Sequence, residues 1–279
     1  MRFSLTHYQN TKLLQLFAWA GAIFALTFHF DGVIFGFAVL TGWLYSGIGL
    51  GICHHRLSSH QTFTPKNRLS KLFLLFIGTI ITHGSVIAWT ITHRYHHKFC
   101  DTAQDPTNPE GSIWHKVKCF FYHFDDLEYP NNQVMVLDLI RDKDYVFFHK
   151  YHFHITFAYI AALALISPIY VCYFYCFPVC YVLFTSGWVT TLAHTPALSI
   201  FGYRNYNTPD KTYNSQFWQL FSMGDGYHNN HHACPWLWDM AVTKYEFDMC
   251  GQFVKLFGNP NNIPPTQIDG YNKVTGDKS

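Results

Sequence analysis

Long apolar runs alternate with polar blocks along the chain, and the apolar runs are almost free of charge. Residues 13–55, 72–93 and 151–203 contain no Lys or Arg, and Asp31 is the only acidic residue within them. A transmembrane helix needs about 20 consecutive apolar residues, and these stretches are long enough for several. The pattern therefore predicts an integral membrane protein of the all-α class.

Four transmembrane helices are predicted, at about 13–30, 32–53, 153–170 and 174–194. The first two are joined by a very short turn around Asp31. A break between the last two is expected near Ser167, Pro168 and Pro178, because proline lacks a backbone donor and disfavours helix in the residue before it. The four helices would form two hairpins.

The stretch 72–92 is also apolar enough to cross a membrane, but it contains His83, Gly84 and several hydroxyl residues. Histidine clusters lie at both of its ends, and a crossing would place them on opposite faces of the membrane. An interfacial or re-entrant segment keeps them on one face, and we expect that arrangement.

With two hairpins and no crossing at 72–92, all 19 Lys and Arg lie on one side of the membrane. The positive-inside rule makes that side cytoplasmic. We therefore expect both termini in the cytoplasm and a cytoplasmic helical cap built from 54–150 and 203–279, all within a single domain, 1–279. The first apolar run is expected to be a permanent helix, and the membrane to be a bacterial inner membrane or the endoplasmic reticulum.

Composition supports this picture. Charged residues make up 13% of the chain, about half of the ~25% usual in soluble proteins. The net charge of +2 gives no reason to expect a nucleic-acid partner. None of the eight cysteines forms a CxxC pair, and Cys172, Cys176 and Cys180 share one helix face, which is typical of packing residues in an apolar helix.

Eighteen histidines are present, and many of them fall into three clusters. The clusters are HHRLSSH at 54–60, HRYHH at 93–97 and HNNHH at 228–232. Neutral imidazole is the commonest metal ligand in proteins. Residues four apart on a helix project from one face, so His93 can converge with His97, and His228 with His232. His96 and His231 are offset and suit a second centre nearby.

Metal binding explains three such clusters better than chance pairing of buried histidines, which is the preferred interpretation for isolated ones such as His7. Zinc takes four ligands or fewer from a protein, so eight or more histidines suit two redox metals. The adjoining apolar helices suggest a lipid substrate. A metal transporter would place ligands or carboxylates at mid-membrane, where this sequence has almost none.

Several further stretches point to a family. They are Gly78-Thr79, His83-Gly84, Trp89, the run HRYHHKFCDTAQDP at 93–106, Asp138–Asp142, Gly202–Tyr206 and Gly224–Ala233. Together with the three clusters they cover roughly residues 35–258. The chain resembles the membrane fatty acid desaturases, specifically the stearoyl-CoA branch with its bacterial and cyanobacterial acyl-lipid members.

The resemblance implies metal ligands at nine histidines: His55, His60, His93, His96, His97, His194, His228, His231 and His232. His194 ends the segment Thr190–His194, where that branch carries Asn-Ser-x-x-His, with Thr190 in place of the asparagine. His54 has no counterpart. Asp101, Asp105 and Asp225 are candidates to orient ligand imidazoles, with a helix cap or a surface charge as the alternative for each.

The resemblance further implies an oxygen-dependent reaction in which two iron ions and two external electrons place a cis double bond, at Δ9, in a saturated acyl chain. Zinc can replace iron during overproduction. A separate electron donor such as cytochrome b5 or ferredoxin is expected, with membrane lipids as the surroundings. A lipid hydroxylase with the same irons is the alternative.

Two expectations concern the substrate. The segment 108–115, NPEGSIWH, lacks the basic residues that the animal acyl-CoA enzymes have there, which favours acyl-lipid over acyl-CoA. Trp43, about three helical turns before His55, could close a substrate tunnel and limit acyl-chain length.

Overall fold

Helices account for almost all regular structure in the computed structural model, which describes residues 5–107, 113–121, 132–195 and 202–261. The α-helices, in chain order, are α1 (Leu5–Phe28), α2 (Gly32–Leu44), α3 (Arg68–Ile80), α4 (Val86–Phe99), α5 (Ile113–Lys118), α6 (Leu137–Ile140), α7 (Lys143–Lys150), α8 (His152–Ile166), α9 (Pro168–Val171), α10 (Phe177–Thr191), α11 (Gln216–Ser222), α12 (His228–Ala233) and α13 (Met249–Phe257). Two π-helices, Tyr45–Ser59 and Cys172–Cys176, and two 3-10 turns, Val134–Val136 and Leu192–His194, complete the helical content. The strands β1 (Phe63–Pro65) and β2 (Gly258–Pro260) pair antiparallel. The predicted helical class is confirmed.

The turn between α1 and α2 is built around Asp31. Its carboxylate caps α2 by accepting the N–H groups of Val33 and Ile34, both at 2.9 Å. The Tyr173 hydroxyl accepts the Asp31 N–H at 3.0 Å and donates to the His29 carbonyl at 2.7 Å. The first hairpin is thereby fixed to the helix that contains Tyr173.

Three helical stretches are long and apolar enough to cross a membrane: His7–Phe28, Gly32–Ser59 and Pro168–His194. The fourth predicted span corresponds to α8, which has 15 residues. At 1.5 Å per residue α8 is about 22 Å long, shorter than the ~30 Å hydrocarbon core. The helix ends at Ser167, which has extended backbone at φ −163°. This is three residues before the end of the predicted span 153–170.

Pro178 does not interrupt its helix, unlike the break expected there. A proline in a helix leaves the carbonyl four residues earlier without its usual donor, and here that carbonyl belongs to Phe174. The Tyr159 hydroxyl of α8 donates to it at 3.0 Å. The lost backbone hydrogen bond is thus replaced from a neighbouring helix.

The apolar stretch 72–92 is not one continuous helix. Its two parts belong to α3, of 13 residues, and α4, of 14 residues. Between them Thr82 and Gly84 have positive φ values of 53° and 82°, and the Ser85 hydroxyl caps α4 by accepting the Ala88 N–H. Neither helix alone is long enough to span a bilayer.

Two cores position the histidine clusters. In the membrane part, small residues of α1 pack against the Cys172–Cys176 π-helix, and a Cβ on Gly21 would lie 2.6 Å from the Cys176 Sγ. The second core contains Ile52, Leu74, Ile87 and Val254 among its buried side chains. It joins the helix ending at Ser59 to α3, α4 and α13, and so fixes the first two clusters relative to each other.

Candidate metal centre

The helices bring all three histidine clusters, together with His194, to one place. His55 lies near the end of the 28-residue helix Gly32–Ser59. That helix measures roughly 40 Å, more than the thickness of the hydrocarbon core. The second cluster is on α4, the third is on α12, and His194 ends the helix that begins at Pro168.

The π-helix explains the five-residue spacing of the first cluster. In a π-helix the backbone bond runs from residue i to i+5, and the His60 N–H donates to the His55 carbonyl at 3.1 Å. The two rings therefore lie on one side, with centroids 5.0 Å apart. Regular π-helical winding brings them together.

Five histidines form the first of two groups, which we call the five-histidine group. Its members are His55, His60, His93, His97 and His231, whose ligand atoms all lie within 4.8 Å of one another. The Nε2 atoms of His55 and His231 are 2.9 Å apart, and those of His60 and His93 are 2.8 Å apart. Each of the three clusters contributes at least one member.

Four histidines form the second group, the four-histidine group: His96, His194, His228 and His232. The Nε2 atoms of His194 and His228 are 2.8 Å apart, and those of His96 and His232 are 3.2 Å apart. All nine histidines that the sequence singled out thus belong to one group or the other. His54 belongs to neither, and its ring packs against Trp89 with centroids 5.4 Å apart.

Carboxylates hold several of these imidazoles by their Nδ1 atoms. Each of the three acids expected from the sequence has a carboxylate oxygen within hydrogen-bond distance of a histidine Nδ1. The pairs are Asp225 and His55 at 3.0 Å, Asp105 and His96 at 2.9 Å, and Asp101 and His194 at 3.0 Å. None of the three caps a helix in the described residues.

Asp210 lies beside one more imidazole, that of His232, and Thr107 adds a second contact to His96; sequence reasoning missed both Asp210 and Thr107. An Asp210 carboxylate oxygen is 3.6 Å from His232 Nδ1, and the Thr107 hydroxyl is 2.7 Å from His96 Nδ1. Asp210 lies far from His232 along the chain and outside every cluster, so no local spacing marks it. Thr107 directly follows the HRYHHKFCDTAQDP run, which was the available signal.

Arg56 is the third residue that the sequence did not mark as functional. Its guanidinium is fully buried and bonds to Asp248 at 2.7 Å and to the carbonyls of Gly51 and Gly224. It also lies 3.6 Å from Asp225. Arg56 thus ties the end of the long helix to the loop that holds the carboxylate partner of His55.

The protonation of the centre follows from burial. Desolvation lowers the pKa of His60, His93 and His97 well below 6.5. It lowers the pKa of His232 to about 4, although Asp210 opposes the change. Burial would raise the pKa of Asp210 and Asp105, but hydrogen bonds from histidine hold both below the usual value. These four imidazoles are therefore neutral, and these two carboxylates ionised, at pH 7.

This charge state fits a bound cation. An ionised carboxylate can only accept, so the Nδ1 of its histidine carries the proton and Nε2 carries the lone pair. In the four-histidine group three such Nε2 lone pairs face the same small space. In the five-histidine group the Nε2 atoms of all five rings do so. Lone pairs that face one another repel unless a cation lies between them. Neutral imidazoles oriented by carboxylates are a usual ligand set for transition metals. The donor set therefore fits two metal ions, one in each group.

Both groups border one cavity. Its lining includes His55 and His93 from the five-histidine group and His96, His194 and His228 from the four-histidine group. Across from them lie apolar side chains, Leu50, Trp89 and Val189. Trp89 also stacks on His93 with centroids 4.6 Å apart. A ligand in this cavity would contact both groups along an apolar wall.

Trp43 is not among the residues that line the cavity in the described part of the chain. Its indole N–H donates to the Leu220 carbonyl at 2.8 Å and anchors the end of α11. One turn further along the helix, Ser46 does line the cavity, and its hydroxyl lies 2.9 Å from the Thr185 hydroxyl. The residue expected to close a tunnel therefore lies one turn beyond the cavity wall.

Comparisons with known proteins agree with this geometry. Residues 8–246 match the family described as fatty acid desaturase. The chain is 31% identical over 251 residues to the sn-1 stearoyl-lipid 9-desaturase of Anabaena variabilis, covering 87% of this chain and 89% of the relative. It is 26% identical to the sn-2 palmitoyl-lipid 9-desaturase of a Nostoc strain, covering 85% and 86%. It is 29% identical to a Delta(9)-fatty-acid desaturase of Caenorhabditis elegans, covering 82% and 69%. The chain therefore belongs to the fatty acid desaturase family, a family of oxidoreductases.

Proposed function

We propose that the protein introduces a cis double bond at the Δ9 position of a saturated fatty acyl chain, using O2 and two external electrons. The observation that carries the proposal is the shared cavity, where two convergent imidazole groups meet an apolar wall at the ends of membrane-length helices. The names of the relatives, which are 9-desaturases, support the position of the bond.

The nine histidines would hold two iron ions. Iron bound there would supply the activation of O2 that is needed to attack an unactivated methylene, which no side chain can supply. The roles of the chain's own residues follow from their contacts. The imidazoles bind through Nε2, Asp101, Asp105, Asp210 and Asp225 orient them, and the cavity wall excludes water from the reacting carbons.

Acyl-lipids are the proposed substrates. Support comes from the lipid-bound acyl groups in the names of two relatives and from the few basic residues in 108–115. Most of that segment lies outside the described residues. Supplying purified enzyme with stearoyl-lipid in vesicles and, separately, with stearoyl-CoA tests the carrier: conversion of the lipid alone is expected, and conversion of the CoA ester alone would refute this choice.

Expression in a desaturase-deficient host, followed by gas chromatography and mass spectrometry of the fatty acids, tests the activity. The expected result is a new Δ9 monounsaturated acid, absent from cells that express a His96→Gln variant. A hydroxylated fatty acid in its place would identify a hydroxylase. Metal analysis should then find two irons per chain, or zinc in heavily overproduced protein.

The proposed topology has four spans, with both termini and the histidine groups on the cytoplasmic side. Support comes from the three long apolar helices and from the interruption between α3 and α4. Cysteine labelling in sealed vesicles tests it. Reagent from the outside should label a cysteine at Gly32, in the first turn, and should not label one at Ala103, which is exposed beyond the end of α4. Outside labelling at Ala103 would show that 72–92 crosses the membrane and would refute the arrangement.

Trp43 remains a proposed determinant of acyl-chain length. It anchors α11 beside the helix that carries Ser46, so its loss would extend the space next to the cavity. Trp43→Ala should shift the products towards longer chains. An unchanged product profile would remove Trp43 from the proposal.

A further inference from the structure

A surface groove lies on the side of the histidine groups formed by the end of α4 and the segment 208–211. Its lining includes His97, Lys98, Cys100, Asp101, Lys211 and His232. We call it the α4 groove. It shares none of its lining residues with the cavity that holds the apolar wall.

The floor of the α4 groove is made by the metal-ligand candidates themselves. His97 belongs to the five-histidine group and His232 to the four-histidine group. Cys100 Sγ lies 3.6 Å from His232 Nδ1 and 3.9 Å from His194 Nδ1. The five-histidine group therefore reaches the groove through the half-buried His97, and the His232 ring of the four-histidine group lies just beneath the floor, with its side chain 3% exposed.

The charge that the groove presents to solvent is positive. The side chains of Asp101 and Asp210 are only 7% and 10% exposed, because they turn inward to His194 and His232. Lys98 and Lys211, at either side, are exposed. The Lys98 ammonium lies 5.2 Å above the Phe99 ring. A partner that approaches would meet two lysines, with the carboxylates already engaged below them.

The proposed reaction needs an electron source. A saturated –CH2–CH2– unit, O2, two electrons and two protons give –CH=CH– and two waters, so two of the four electrons that reduce O2 come from outside. Electron transfer weakens steeply with distance, and a partner in the α4 groove would lie against His97 of one group and directly above His232 of the other. We propose that the α4 groove is the docking surface for the electron donor, an acidic redox protein whose carboxylates pair with Lys98 and Lys211. This inference rests on the proposed function.

The test uses iron-loaded protein with a reduced two-iron ferredoxin as donor, and soluble cytochrome b5 as a second donor. The double variant Lys98→Glu/Lys211→Glu should raise KM for the donor by about tenfold or more at low ionic strength, with an unchanged kcat at saturating donor. The wild-type rate should fall as salt is added, and the variant should lose this dependence, because salt screens exposed charges. Binding of the donor to the metal-free variant, followed by interferometry, should weaken in parallel.

Two control variants separate docking from damage. Lys98→Arg/Lys211→Arg keeps the charge and should keep the KM. Lys66→Glu reverses the charge of an exposed lysine outside the groove and should also leave KM unchanged. Protein reduced chemically by dithionite and then exposed to O2 should give the same single-turnover yield in every variant.

Each contrary result identifies what has failed. If KM for both donors is unchanged in the double Glu variant while the wild type is active, the docking surface is refuted. A raised KM for the acyl-lipid in place of the donor would assign the groove to the substrate head group and would also refute it. If the wild type forms no double bond even after dithionite reduction, the proposed function falls and the docking inference falls with it.

Discussion

The two histidine groups differ in how their imidazoles are oriented. In the four-histidine group, three of four rings have a carboxylate on Nδ1: Asp105, Asp101 and Asp210. In the five-histidine group, within the described residues, a carboxylate lies only on His55, through Asp225. The five-histidine group has more imidazole rings, and the four-histidine group has more carboxylates per ring.

The carboxylates themselves are also held differently. Asp225 faces the fully buried Arg56. Asp101 accepts the Lys211 N–H at 2.6 Å, and Asp105 accepts the Thr107 N–H at 2.8 Å. A carboxylate on Nδ1 fixes the tautomer and raises the basicity of Nε2, so a metal ion in the four-histidine group would have fewer but stronger ligands. A metal ion in the five-histidine group would depend on the number of ligands and on the single carboxylate that Arg56 faces.

Removing one ligand from each group should have the largest effect and should separate them. His228→Gln leaves three imidazoles in its group, whereas His60→Gln leaves four, enough for a tetrahedral ion. We expect His228→Gln to reduce metal content from two ions per chain to one and desaturase activity by at least about 100-fold, more than the loss of an orienting partner costs. His60→Gln should keep two ions. Elemental analysis and fatty acid profiling measure both.

His154→Gln is the matched control, because His154 is exposed on α8. It should change neither metal content nor product. If His60→Gln and His228→Gln lost metal equally, the two groups would not act as separate sites, and the comparison would be wrong.

Arg56→Met should have the next largest effect, on stability. It leaves the fully buried Asp248 without its cation, and removal of one partner of a buried pair costs about 3–5 kcal/mol. Unfolding in detergent, followed by tryptophan fluorescence, measures this cost. Arg68→Met removes the exposed partner of Asp144 and should cost far less, because water and salt screen an exposed ion pair. Equal losses of unfolding free energy in the two variants would show that the buried ion pair of Arg56 does not stabilise the fold more than an exposed pair does.

Asp210→Asn tests the carboxylates of the four-histidine group. Loss of such a partner typically costs 10–100-fold in metal affinity or activity. We expect one of the two ions to become 10–100-fold easier to remove with a chelator, while the other is retained as in the wild type. Asp31→Asn, at the far end of the first hairpin, should retain both. Equal weakening of both ions in Asp210→Asn would contradict the assignment of Asp210 to one group.

How much of this could be read from the sequence depends on how local each signal is. Ring pairs such as His93 and His97 lie one helical turn apart, so their convergence follows from helix geometry alone. The π-helical winding that brings His55 to His60 has no such signature, and only the spacing was visible. Asp101 and Asp105 were found because they lie beside a cluster.

Asp210 and Arg56 show where sequence reasoning fails. Asp210 reaches His232 only because the segment 208–211 folds back over the end of α4. The role of Arg56 depends on Asp248, which is the N-cap residue of α13 and lies almost two hundred residues later in the chain. In the membrane part, the helix at Pro178 stays intact with the help of the contact between Tyr159 and Phe174, which hydropathy does not report.

The smallest expected effect is a difference in pH dependence between the groups in metal-free protein. Burial lowers the folded-state pKa of His232 to about 4, while Asp210 opposes that change; the pKa of His60 is driven well below 6.5, with burial as the main cause. Below pH 6.5 the unfolded chain binds more protons at these positions than the folded one, so the free energy of unfolding falls as the pH is lowered, by up to about 1.4 kcal/mol per pH unit for each histidine.

His232→Gln should reduce this slope between pH 6.5 and about 4 and have no further effect below. His60→Gln should reduce it over a range that extends lower, because no carboxylate opposes the shift there. Unfolding curves measured from pH 7 down to about pH 3 in detergent test this, and identical ranges for the two variants would mean that the carboxylates do not distinguish the groups.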